Sequence, residues 1–146
     1  MTIESVDVEK ILREIADKHN GILRAEDVVN EAENPRHPLH DRFDWNDTSA
    51  AAQWRIHQAR QIIRVTVTSA SVGGKNVTMR AFVSLTPDRE EDGGGYKPTL
   101  VVMRNKDDRA QLLADALAEF GRFEAKYRAL EELAEVFDAA KRVRVK

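Results

Sequence analysis

The stretch NKDDRAQLLADALAEFGRFEAKYRALEELAEVFDAAK, residues 105–141, decides how the chain is read. Leu113, Ala116, Phe120, Phe123, Tyr127, Leu130, Ala134 and Phe137 follow one another at alternating steps of three and four. That spacing puts them on one narrow stripe of a helix. Leu112, Leu117 and Leu133 widen the stripe, while Asp115, Glu119, Arg122, Glu124, Lys126 and Glu131 occupy most of the other faces. The pattern predicts one long helix or a tight pair of helices. A single helix of this length would measure roughly 55 Å at 1.5 Å per residue, longer than a compact domain of this size is wide. The stripe therefore needs a partner: the rest of the chain, a second copy or a fold-back. Leu113, Phe120, Phe123, Tyr127, Leu130 and Phe137 are the expected contacts of a homo-oligomer.

Size and charge bound what surrounds this stretch. A chain of 146 residues is one domain, or a small domain with an appendage. Its 42% apolar residues suffice for a core, and its 33% charged residues point to a soluble protein. Net charge is -3 over residues 1–64, +1 over 65–104 and zero over 105–146, so the chain has no overall basic footprint. The end, Lys141 to Lys146, is a small basic tail that suits the negative pole of a helix C-terminus. With no cysteine, disulfides, thiolate nucleophiles and cysteine metal sites are excluded. No apolar run is long enough to span a membrane, and Met1 to Ser5 does not open a signal peptide, so a cytoplasmic location in a host cell is expected.

Upstream, helical spacing of Val8, Ile11, Leu12, Ile15 and Ala16 predicts a first helix over 6–19, stopped by Asn20-Gly21. A second helix is expected over 25–33, ended by Asn34-Pro35. Residues 34–47 read as a loop, yet Leu39, Phe43 and Trp45 are too apolar to be left in water, so the loop should fold back as a lid on the core. Asp47, Thr48 or Ser49 should cap a third helix over about 49–64. From Ile63 the apolar residues alternate with polar ones, which predicts a half-buried strand over 62–70, a Gly73-Gly74 turn and a second strand running through Leu85. Residues 87–98 form a charged, glycine-rich connector, and 99–103 read as a third short strand. Gly121 inside the last helix marks close packing or a kink. The expected architecture is α+β. Residues 1–104 form a helical, winged-helix-like domain with a β-hairpin, and 105–146 a long amphipathic helix for packing or oligomerisation, with its basic tail.

Little in the chain points to chemistry. His37 and His40 have finger-like spacing that His57 could join, with Asp41 or Asp44 completing a tetrahedral set. Loop histidines that pair locally explain the same residues. Asp41, Asp44 and Asp47 resemble a calcium loop in composition only, since the ligand pattern is incomplete. Gly93-Gly94-Gly95 lacks the Lys-Ser/Thr of a phosphate loop, and no serine sits in a nucleophile elbow. The expectation is a non-enzymatic protein without catalytic residues, metal or cofactor.

Three helices followed by a hairpin is also the order of a winged helix-turn-helix. On that reading Arg55, Gln58, Arg60 and Arg64 on the third helix, with Lys75 and Arg80 on the hairpin, would contact DNA. Acids at the start of the third helix oppose it. The leading expectation is therefore a self-associating adaptor with a host or phage protein as partner. The alternative is a winged-helix-like DNA-binding protein or transcriptional regulator.

Three stretches carry a resemblance. They are Asn20-Gly21-Ile22-Leu23 leading to His37-Pro38-Leu39-His40-Asp41-Arg42-Phe43-Asp44-Trp45; Trp54-Arg55 with Gln58-Ala59-Arg60-Gln61-Ile62-Ile63-Arg64; and Gly94-Gly95-Tyr96-Lys97-Pro98 with the helix from Arg109. With these the chain resembles a family of small bacteriophage- and prophage-encoded proteins of unassigned function. Such relatives look to have a serine at the position of His37 and a shorter tail, which argues against a ligand role for His37. The resemblance implies a phage context and no chemistry.

Overall fold

Two apolar stripes in the first third build the core. In the computed structural model, which describes residues 5–91 and 94–145, α1 (Ser5–Lys18) and α2 (Ala25–Ala32) bury Leu12, Ile15, Ala16, Val28 and Ala32. The chain reverses between them at Asn20 and Gly21, both with positive φ (58° and 83°). The Gly21 amide donates back to the Ala16 carbonyl at 2.8 Å, so two left-handed residues close the helix. Val28 on α2 and Ile63 on α3 (Ser49–Val65) are fully buried, and those two helices pack together. Thr48 caps α3, its hydroxyl accepting from the Ala51 amide at 3.1 Å.

The lid expected over 34–47 is present. Leu39 and Phe43 are buried, and a 3-10 turn, His40–Arg42, lies between them. Trp45 packs partly buried against the same core.

α3 runs 17 residues, through Val65, so the strand expected from residue 62 starts later. Alternation and helical spacing both fit Ile63 to Thr66, and burial decides between them. Ala59, Ile62 and Ile63 face the core on successive turns, and the Thr66 hydroxyl donates to the Ile62 carbonyl at 2.7 Å to close the end. The hairpin follows as β1 (Val67–Val72) and β2 (Lys75–Arg80), antiparallel, with Val72 opposite Lys75. Gly73 and Gly74 have φ of 59° and 81°, the left-handed pair that a two-residue turn requires. The hairpin is half-buried on one face only, through Thr68, Ala70 and Met79, and Val67, expected to point inward, lies on the exposed face opposite Arg80.

The second strand does not continue through Leu85. The chain breaks phase at Ala81, whose amide donates to Thr66 O at 2.9 Å and whose carbonyl accepts from the Thr99 amide at 2.8 Å. β3 (Phe82–Val83) then pairs with β4 (Lys97–Pro98) in a separate two-stranded antiparallel sheet. A short helix, α4 (Thr86–Glu90), lies in the connector, of which Asp92 and Gly93 are outside the described residues. Gly95 sits tight: a Cβ there would come within 2.8 Å of the Ile22 side chain. Residues 99–103 are not a strand, because Thr99–Val102 form one helical turn, α5, with the Thr99 hydroxyl donating to Arg80 O at 2.7 Å.

The chain divides into two compact units, Met1–Val101 and Val102–Lys146. In the second, Asn105 caps α6 (Lys106–Tyr127), its side chain accepting from the Asp108 amide at 3.0 Å. The long helix ends at Tyr127. A bend at Arg128 to Leu130 and a 3-10 turn, Glu131–Leu133, lead into α7 (Ala134–Lys141). The stripe is thus a fold-back pair, held by Phe137 against Phe120 (6.1 Å between rings) and Phe123 (6.2 Å), and by Lys141 with Glu124 at 3.3 Å. Gly121 is neither a kink nor a close approach, since a Cβ there would meet nothing within 4 Å. Among the described residues no helix is long and apolar enough to cross a membrane. The whole is an α+β fold of several helices and two small antiparallel sheets.

Candidate interaction surfaces

The three histidines considered as ligands are held apart in separate local roles. His37 Nδ1 accepts the Leu39 amide at 3.1 Å, so that nitrogen must stay unprotonated. Burial pushes the His37 pKa below 6.5. The Glu31 carboxylate opposes that shift, and the Lys18 ammonium adds to it. His40 bonds the Ala32 carbonyl through Nδ1 at 2.8 Å and stacks on Trp45 with ring centres 4.9 Å apart. His57 stacks instead on Trp54, out on α3. Among the described residues no three of His, Asp or Glu gather as a metal site would require. A polar cleft of about 580 Å³ lies at the α2 end, lined by His19, Asp27, Glu31, Asn34 and His37 among others. Its charges are already paired in part, His19 with Asp27 and Lys18 with Glu31.

Of the residues expected to touch DNA, two face inward to the lid. Arg55 donates to the carbonyls of Asp44 (2.9 Å) and Asn46 (2.8 Å) and lies 5.3 Å over Trp45. Gln58 accepts from the Asp44 amide at 3.3 Å. Both are half-buried and serve to staple residues 44–46 onto α3. Arg60, Arg64, Lys75 and Arg80 are exposed, and among the described residues none of them meets a carboxylate. Trp54, at 51% exposure, was not singled out from sequence as a surface residue. Its position four before Gln58 and three before His57 could have suggested it.

In the second unit the expected oligomer contacts separate into three groups. Phe137 is buried, Phe120 and Tyr127 are half-buried, and Phe123 and Leu130 are 45% and 46% exposed. Leu113 lies elsewhere, on the floor of a groove of about 560 Å³ with Leu112 and Ala116, rimmed by Lys106, Arg109 and Arg144. α6 has no buried residue along its whole length.

No protein-family model, curated protein or solved structure matches the chain.

Proposed function

We propose that the chain is a non-enzymatic phage protein that self-associates through its C-terminal helical hairpin and serves as an interaction or assembly adaptor. The observation that supports this reading is the incomplete burial of α6. None of its 22 residues is fully buried: Leu112, Leu113, Leu117, Phe120 and Tyr127 are left half-buried, and α7 meets the end that carries Phe120 and Phe123. Apolar side chains of that size stabilise by about 1.5–3 kcal/mol each when removed from water.

A second copy suits the uncovered surface by charge. The groove rim is cationic, with Lys106, Arg109 and Arg144. The far end of the hairpin is acidic, with Glu131, Glu132, Glu135 and Asp138. An antiparallel two-fold pairing sets each rim against the other copy's acidic turn and brings the Leu112–Leu113 floor onto the partner's stripe, as an isologous contact demands.

Light scattering after size-exclusion chromatography tests it. The wild-type chain is expected at twice its monomer mass. Leu113→Glu and Leu130→Glu, both away from the Phe137 contact, should each weaken the dimer at least tenfold. Arg109→Glu should weaken it as well, and Glu135→Arg added to it should restore mass. A wild-type monomer at every concentration, or a dimer indifferent to both leucine changes, sinks the reading.

A further inference from the structure

Between Thr48 and Pro87 the sequence holds five basic residues and no aspartate or glutamate, whereas residues 1–47 hold twelve acids against six bases. That acid-free stretch is α3, β1 and β2. We infer that the outward face of α3 and the β1–β2 hairpin together form a binding surface for the sugar-phosphate backbone of duplex DNA.

The placement of the free cations carries the inference. One of the five, Arg55, is consumed by the lid. Of the other four, Arg60, Arg64 and Arg80 form a series along the fold. Arg60 and Arg64 are one turn apart in the last two turns of α3. Arg80 pairs with Val67 at the hairpin base, next to Ala81, which bonds Thr66 directly after α3. Lys75 lies beside the turn at the tip, five residues from Arg80 and therefore on the opposite face of the hairpin, so it is not one of the series. A duplex presents one negative charge per about 1.7 Å of its axis, so the three arginines find phosphates in any register.

The neutral side chains between the cations fit the same partner. Pairing puts Ser69 with Thr78 and Ser71 with Asn76 on the hairpin face that Arg80 shares, and all five are exposed. Hydroxyl and amide side chains are usual donors to phosphate. On α3 the inner stripe of Ala51, Ala59, Ile62 and Ile63 leaves Gln53, Trp54, His57, Arg60, Gln61 and Arg64 outward, again without a carboxylate. Asp44 and Asp47 precede α3, so its repulsive end is the N-terminal one. Contact therefore falls on the C-terminal turns and the hairpin, unlike readers that insert a helix by its N-terminus.

Fluorescence anisotropy of the full chain with a labelled mixed-sequence duplex, over a salt series, tests the surface. Three phosphate contacts give a slope of log K against log salt of about -3 per protomer. Arg60→Gln with Arg64→Gln should reduce its magnitude by about 2 and Arg80→Gln by about 1, whereas Lys75→Gln, on the opposite hairpin face, should leave it unchanged. Arg13→Gln and Arg36→Gln, exposed cations outside the stretch, should leave it unchanged. A slope near zero, or an equal loss from the Arg13 and Arg36 changes, overturns the inference. So does displacement by polyglutamate as effective as by unlabelled duplex, which would reduce the surface to a general anion patch.

Discussion

At the scale of the residue, His37 and Arg55 show how a polar side chain is consumed by its own backbone. His37 must keep Nδ1 free of a proton to accept from Leu39, and burial lowers its pKa in the folded chain. The unfolded histidine titrates near 6.5, so between that value and the lower folded pKa the unfolded state binds more protons. The contribution of His37 to stability is thus fully present above pH 6.5 and is lost as pH falls through the folded pKa. Thermal melts of His37→Gln against wild type should diverge least at low pH, with part of the acid-side slope missing in the variant. Equal slopes for the two proteins count against this role. Arg55 illustrates what sequence reading misses. Its charge and position on α3 are those of a phosphate contact, but its fork is aimed at two carbonyls whose location depends on how the lid folds. No spacing rule encodes that, whereas the exposure of Arg60 and Arg64 follows from their place off the buried stripe of α3.

Among the elements, α1, α2, the lid and α3 are legible because periodic apolar residues meet clear stop signals: Asn20-Gly21, Asn34-Pro35 and the Thr48 cap. The errors fall where three apolar residues in a stretch of four fit two periods at once. Ile62 to Val65 became helix because Ile62 and Ile63 both needed the core, and Thr99 to Val102 became a turn of helix because Thr99 was held by Arg80 and Ala81. The end of α6 at Tyr127 was hidden for another reason. The steps of three and four continue unbroken across the bend, so the stripe in sequence survives a reversal in space. Gly121 offers a test within α6. It is exposed, with open space where a Cβ would go, so Gly121→Ala should stabilise the helix by about 1 kcal/mol. A lowered melting temperature would mean that α6 requires close approach at that point.

Over the whole molecule, burial is unequally divided. The first unit holds a continuous core from Val8 to Phe82, while in the second only Val102 and Phe137 are buried among the described apolar residues. A unit with so little interior is marginal by itself. If a second copy covers it, stability becomes a function of concentration, and each tenfold dilution removes about 1.4 kcal/mol from the folded dimer. Melts followed by tyrosine fluorescence or circular dichroism at several concentrations should move to lower temperature on dilution in wild type and stay fixed in Leu113→Glu. A wild-type transition independent of concentration would remove the linkage.

The exposed hairpin has a mechanical consequence. Two strands are marginal by themselves, so their order comes from α1, which packs against β1, and from the base, where Thr66, Ala81 and Thr99 tie the backbone together. That knot acts as a fulcrum and the strands as a rigid arm. A rotation at Ala81 is magnified along the strands into a larger displacement at Gly73 and Gly74, the exposed end of the lever.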